Sequence, residues 1–358
     1  MKKFLAVILA ACVLACGAVL FSACNGTGGD PGDNPGDNPG DNPGGETQTF
    51  TADVYAPDGA PALALAQLMS ENMQFGGTVN YNVVNANTIQ TYVTGENPQA
   101  ELCVLPVNAA AKMLGSGENY KMLGTVTHGN IYILSNTETA ELTQDNLGEQ
   151  LAGKMVGCIQ LENFVGFALQ IVLDNLGIEY RIAEDEEDVQ ENIVNIVNIA
   201  NPASQITGTA TYDYMVAAEP VVSTKTGNIP TLEVVGDLQA LYGENGYPQA
   251  VLVAKADFIA ENGAMIEAFI DAVEANTSWL LADSTQAETI VNAVSSHLPE
   301  GSTPTFTAAN LSKTVIENCA VRLESAQSCK AEVLSFLEEI TAVNGVTFDV
   351  ADAFFYGA

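Results

Sequence analysis

The stretch Thr51-Ala-Asp-Val-Tyr-Ala-Pro-Asp-Gly-Ala-Pro-Ala-Leu-Ala-Leu-Ala-Gln-Leu-Met69 contains the repeating unit of the fold. Thr51 to Ala56 reads as a strand, and Pro57-Asp58-Gly59-Ala60 as a turn. Pro61 suits the first turn of a helix whose apolar body runs from Ala62 to Met73. The unit recurs downstream. Thr78 to Val84 reads as a strand, Asn87 to Val93 as a short helix, Ala100 to Leu105 as a strand, and Val107 to Leu114 as a helix behind Pro106. Such alternation predicts an α/β chain with a parallel sheet and helices on its faces. Met122 to Val126 and Ile131 to Leu134 follow as strands around His128-Gly129-Asn130.

A second series opens at Met155 to Ile159, continues into a helix from Phe164 to Leu176 stopped by Gly177, and returns as a strand from Glu179 to Ile182. Glu184 to Asp188 reads as an acidic helix start, and the segment from there through Ile199 fits helix and strand equally. Tyr214 to Ala218, Leu232 to Val235 and Pro248 to Ala254 read as further strands. Helical stretches cover Asp257 to Leu281, Gln286 to His297 and, with breaks, Ala308 to Ala342.

The 358 residues are 47% hydrophobic, enough to bury a core of two ordinary domains' worth of chain. Forty-four acidic residues against eleven Lys and Arg leave a formal charge of -33, so the chain lacks the cations that displace phosphate counterions and no nucleic acid is expected as partner. His128 and His297 are the only histidines and there is no Cys-x-x-Cys, so neither a metal site nor a cofactor is expected.

Lys2 and Lys3 precede an apolar run of eighteen residues, Phe4 to Phe21, followed by Ser22, Ala23 and Cys24, the pattern of a secretory signal. Phe21-Ser-Ala-Cys24 resembles the lipobox of bacterial lipoproteins, with Phe21 where Leu is usual. The resemblance implies a signal peptide over 1–23 and a lipidated Cys24. Cleavage before Cys16, at Val13-Leu-Ala-Cys16, and an uncleaved anchor are the alternatives, and each leaves the remainder outside the cytoplasm. Residues 24–48 form a spacer with Gly-Asp-Asn-Pro three times from Gly32 to Pro43, too rich in Gly and Pro to build a core. Beyond Cys24 the mature chain has Cys103, Cys158, Cys319 and Cys329; the last two fit either a disulfide or two buried thiols.

Five further stretches, in order, give the chain a family resemblance: Tyr55-Ala-Pro-Asp-Gly-Ala-Pro61, Leu105-Pro-Val-Asn-Ala-Ala110, Leu151-Ala-Gly-Lys-Met-Val-Gly157, Ala218-Glu-Pro220 and Gly246-Tyr-Pro-Gln249. Behind a lipobox and spacer, residues 50 to 358 resemble the solute-binding lipoproteins of ABC importers, of the nitrate/sulfonate/taurine and thiamine-pyrimidine-precursor type; Phe354-Phe-Tyr356 is similar to that group's aromatic tail. The resemblance implies a two-lobed periplasmic-binding-protein-like fold of type 2, with a central cleft and two crossing segments near 131–136 and 247–254. Lobe 1 would comprise 49–132 plus 250–358, and lobe 2 133–249. The implied partners are a small organic solute, pyrimidine-like or sulfonate-like, an ABC permease with its ATPase, and the membrane through the lipid anchor.

Ligands of open α/β sheets bind beyond the carboxyl ends of strands, where helix N-termini present free N–H groups. The loops so placed are Asp58-Gly59-Ala60, Asn87 with Thr88, Pro106-Val107-Asn108, and Gln160, Asn163 and Phe164 in the second series. Glu219 and Tyr247 join them as candidate ligand contacts. Asp58, Asn87 and Asn163 also suit helix caps, Glu219 also suits the end of a strand, and Tyr212, Tyr214, Tyr247 and Phe164 suit the core as well as a stacked planar solute. With only nine Lys and Arg beyond Lys2 and Lys3, the reading leans to a neutral or heteroaromatic solute over an inorganic anion. The alternative is a surface-anchored enzyme, for which Cys158 and His128 are the available nucleophile and base. Gly148 to Lys154 matches a phosphate loop in spacing only, since Met155 replaces the Ser or Thr and the motif precedes its strand.

Overall fold

Leu102 to Leu105 and Met155 to Ile159 are buried at every position, the signature of strands covered on both faces rather than of half-exposed strands that alternate. The computed structural model describes residues 49–185, 187–209 and 211–357, so the expected signal peptide, Cys24 and the expected spacer lie outside the described residues. Among the described residues the strands are β1 (Thr51–Pro57), β2 (Thr78–Val84), β3 (Leu102–Pro106), β4 (Tyr120–Thr127), β5 (Ile131–Ser135), β6 (Met155–Ile159), β7 (Tyr180–Ile182), β8 (Val194–Ile199), β9 (Tyr214–Ala218), β10 (Glu233–Asp237), β11 (Ala250–Lys255) and β12 (Val321–Ser325). They form two six-stranded sheets, ordered β12-β4-β11-β3-β1-β2 and β10-β5-β9-β6-β8-β7.

Neither sheet is purely parallel, which corrects the expectation drawn from βα alternation. β1 runs parallel to β2 and β3, and β6, β7, β8 and β9 run parallel to their neighbours in that group. β11 enters the first sheet on the chain's return from the second, so it runs opposite to both β3 and β4. β12, inside a stretch expected to be helical, pairs antiparallel with β4. Its backbone comes so close to Gly124 that a Cβ there would lie 2.4 Å from the Glu324 carbonyl oxygen. A glycine on the facing strand therefore admits an element that the local pattern does not announce.

The chain passes between the sheets at His128-Gly129-Asn130 and again in the segment after β10, so the stretches expected to cross are themselves mostly β5 and β11. Two glycines let these passages interlock. Gly129, at φ 112°, abuts Gln239, and Gly246, at φ 71°, would drive a Cβ to 2.2 Å from the His128 carbonyl oxygen.

The helix expected over Ala62 to Met73 is two short pieces, Ala60–Leu63 and Ala66–Ser70. The cause is Asn276, fully buried on the helix Gly263–Leu281. Its Nδ2 donates to the Leu63 carbonyl at 3.0 Å and its Oδ1 accepts from the Gln67 amide at 2.9 Å. Those two backbone groups would otherwise bond each other within one continuous helix. The long helix expected over Asp257 to Leu281 is likewise interrupted at Asn262, between Ala256–Glu261 and Gly263–Leu281. The acidic segment at Glu184 is not helical: Asp188 pairs with Arg181, and the buried Asn195 side chain takes up the Gln190 amide and the Gln190, Ile193 and Lys154 carbonyls. The ambiguous segment resolves as β8. Cys103, Cys158, Cys319 and Cys329 are buried free thiols.

Candidate functional site

Because β4 and β3 run one way and β11 and β12 the other, the ends of β1, β3 and β4 share an edge with the starts of β11 and β12. Pro106 is in register with Ala250, Ala250 with Thr127, and Thr127 with Val321. Asp58, Val107, Gln249 and Asn318 therefore flank one line. The corresponding edge of the second sheet carries Gln160 after β6, Ala200 after β8, Glu219 after β9 and the start of β5. The two edges meet: Asn318 Nδ2 donates to Glu219 Oε1 at 2.9 Å, the Tyr132 hydroxyl to the Asn318 carbonyl at 3.1 Å, and Asn310 Nδ2 to Thr224 Oγ1 at 3.4 Å.

On the first edge, Asp58 does not cap a helix. Its Oδ2 accepts from the Thr305 amide at 2.7 Å and the Thr305 hydroxyl at 2.8 Å, which ties the β1 loop to a distant segment. Its Oδ1 is shut from solvent without a partner. Gly59, at φ 113° and ψ -153°, adopts backbone angles that favour glycine, and Ala60 is buried behind it. Pro106 precedes the helix Val107–Leu114; the Val107 amide donates to the Gln249 carbonyl and Asn108 makes no side-chain cap. Asn87 and Thr88 lie in an exposed turn organised by Asn85, just beyond Val84, whose carbonyl accepts from the Asp58 amide.

On the second edge, Asn163 precedes the helix Phe164–Asn175 without a side-chain cap bond, and Gln160, exposed, sits at φ 50° in the left-handed region. With Glu162, Asn198 and Val221 they line a depression of about 340 Å³. A depression of about 540 Å³ at Gly177 and Tyr180 lies at the opposite, amino ends of β7 and β8, away from the helix N-termini. A third space of about 440 Å³ lies between the helix Val221–Asn228 and the segment containing Asn310. Glu219 is only 5% exposed. Its Oε1 accepts from Asn318 Nδ2 at 2.9 Å and from Ser223 Oγ at 2.7 Å, and its Oε2 from the Ser223 amide at 3.0 Å.

Tyr247 has no exposed surface: its hydroxyl donates to Gln239 Oε1 at 2.9 Å and its ring stacks on Phe336, centroids 5.6 Å apart. Phe164 joins the same cluster, 5.9 Å from both rings. These aromatics attach the helix Ala326–Asn344 to the second sheet's side of the molecule. Tyr212 and Tyr214 are buried too.

Sequence reasoning passed over Thr127, Asn130, Gln249, Thr305 and Asn318. Gln249 donates from Nε2 to Asn130 Oδ1 at 2.9 Å while its Oε1 is buried without a partner, and the hydroxyl of the fully buried Thr127 also lacks one. The only signal for Thr127 and Gln249 is a polar residue closing or opening an apolar strand. His128 is buried, and its Nε2 lies 3.4 Å from Glu324 Oε2 without hydrogen-bond geometry. Burial, then the nearby Arg322 cation, lowers its pKa from 6.5 to about 3, so at neutral pH this approach is not an ion pair. Cys158 is equally enclosed, and burial pushes its thiol far above the ordinary range. Among the described residues no group of three or more His, Cys, Asp or Glu is placed to hold a metal, and no helix is long and apolar enough to cross a membrane.

No family model and no curated protein matches the chain. Solved structures do. An ABC transporter protein from Parabacteroides distasonis aligns over 85% of this chain and 98% of its own, with TM-score 0.62 and 19% identity. The periplasmic aliphatic sulphonate binding protein of Escherichia coli aligns over 86% and 92%, with TM-score 0.55 and 13% identity. The ligand-binding component of an ABC-type import system from Staphylococcus aureus, solved with zinc bound, aligns over 86% and 96%, with TM-score 0.54 and 10% identity. At these identities the likeness is one of fold: the chain has the two-sheet α/β architecture of periplasmic-binding-protein-like molecules.

Proposed function

We propose that the chain is the solute-binding component of an ABC importer, lying outside the cytoplasm and tethered to the membrane through lipid on Cys24. It takes a small organic solute between lobes formed by 49–132 plus 250–358 and by 133–249, and delivers it to a permease and its ATPase. The observation that carries this reading is the meeting of the two sheet edges, each with strand ends and an uncapped helix start, with unpaired buried acceptors along the first. The neighbours in fold, named for transport and import, support it. Asp58, Gly59, Ala60, Pro106, Val107 and Asn108 would act from one side and Gln160, Asn163, Phe164 and Glu219 from the other. Asn87 and Thr88 stand at the rim, and Tyr247 supports Phe164 from beneath.

Binding of this kind works by favouring a closed arrangement, which requires tighter contact in that state. Small-angle scattering and thermal unfolding across a metabolite panel should show compaction and a raised Tm with one chemical class; profiles unchanged by every solute would sink the proposal. Cys24→Ala should abolish lipid labelling and release the chain from membranes without altering solute binding. Label that persists, and is lost on Cys16→Ala, would move the anchor.

A further inference from the structure

Among the described residues, the buried side-chain nitrogen and oxygen atoms without a hydrogen-bond partner belong to Asp58, Gln67, Thr127, His128 and Gln249. All but Gln67 lie along the first sheet's meeting edge. The Asp58 oxygen can only accept. So can Gln249 Oε1, because the amide nitrogen of that side chain already donates to Asn130. The Thr127 hydroxyl stands on the strand beside β11, in register with Ala250. Across the edge, the buried Glu219 carboxylate is met by neutral donors, Ser223 and Asn318.

Among the described residues the cations have partners elsewhere. Lys154, Arg181, Lys255, Lys313 and Lys330 pair with Asp213, Asp188, Glu101, Asp283 and Asp352. Lys112, Lys121, Lys225 and Arg322 donate to backbone carbonyls at Thr347, Ala353, Ala203 with Ile206, and Asn245. An anionic solute would bring more acceptors to acceptors and more negative charge to Asp58 and Glu219. The side-chain oxygens left unpaired along this edge call for donors, and Arg322, the nearby cation, is turned to the Asn245 carbonyl.

We infer that the solute is an organic cation with donor-bearing ends, one ammonium or amidinium group at the Asp58 carboxylate and a second donor at the Gln249 side-chain oxygen. The inference rests on the solute-binding reading above. The strand order places Asp58 two strands from Gln249, a separation of about 10 Å at ordinary strand spacing. A short diamine or an aminoaryl amidine spans that distance.

The test is calorimetry on the full chain in detergent with 1,5-diaminopentane and 4-aminobenzamidine, against the anions glutarate and benzene-1,4-disulfonate, together with native mass spectrometry of any molecule carried through purification. The cations should bind and the anions should not. Asp58→Asn, which keeps an acceptor for Thr305, and Gln249→Leu should each weaken the cation about tenfold or more, with thermal melting confirming that both fold. Binding of the anions alone, or a carried molecule that is anionic or neutral, overturns the cationic class and leaves solute capture standing. Cation affinity unchanged in both variants overturns the placement. If none of the four probes binds, a carried organic cation still supports the inference, whereas no bound probe and no carried molecule overturns the cationic class, and the metabolite panel decides the solute-binding reading separately.

Discussion

The two edges that meet between the sheets treat buried polarity in opposite ways. On the second, the Glu219 carboxylate is enclosed and supplied with donors from Ser223 and Asn318, so it ties the start of the helix Val221–Asn228 to the segment before β12. On the first, Asp58, Thr127, His128 and Gln249 each bury at least one polar atom with nothing to bond. A satisfied buried group contributes to the fold, whereas an unsatisfied one is a cost that the fold must offset. The second edge therefore behaves as a clasp, whereas the first leaves buried side-chain oxygens without partners.

The largest effect expected from this contrast is at the clasp. Glu219→Ala leaves the Ser223 and Asn318 donors unpaired in a closed space and should lower unfolding free energy by about 3 kcal/mol or more in urea titration. A loss within error would mean that water replaces the carboxylate and that the two edges do not differ in kind. Next comes His128, whose native pKa of about 3 lies below its ordinary 6.5. Above pH 6.5 the ring is neutral in both states and contributes no pH dependence. Below it the unfolded chain takes up a proton that the native chain refuses, so stability falls as pH falls toward 3, by about 2 kcal/mol at pH 5. Subtracting the acid-unfolding curve of His128→Phe from that of the wild type isolates this loss; superimposable curves would show the ring solvated or paired. The smallest effect sharpens the comparison most. Thr127→Val removes a hydroxyl that has no partner at nearly constant shape, and should be neutral or stabilising by up to about 1 kcal/mol in thermal melts without added solute. Clear destabilisation would reveal a bond to Thr127 and make the first edge resemble the second.

Strands with apolar residues at every position, such as β3 and β6, were legible because burial on both faces leaves a continuous pattern that needs no partner to be seen. The helix Phe164–Asn175 was legible from its apolar body and from Gly177, whose φ of 67° fits the helix stop assigned to it. The candidate site was half legible. Asp58, Val107, Asn163 and Glu219 follow from the rule that function gathers beyond strand ends. Thr127, Gln249 and Asn318 do not, because what places them is which strand runs antiparallel to which. Tyr247 shows the reverse failure, since an aromatic beside a crossing reads alike whether it faces a solute or, as here, Gln239 and Phe336.

What the sequence by itself determined is the kind of each buried element and the loops that end it, for these depend on patterns within a dozen residues. Tertiary structure alone decided that the Ala62 helix divides, because Asn276, more than two hundred residues away, takes the two backbone groups that would have joined it. It likewise decided that β12 is a strand, because Gly124 leaves room for its backbone beside β4. In both places the local preference is worth less than a buried polar group finding its partner, and that partner is chosen by the fold rather than by the neighbouring sequence.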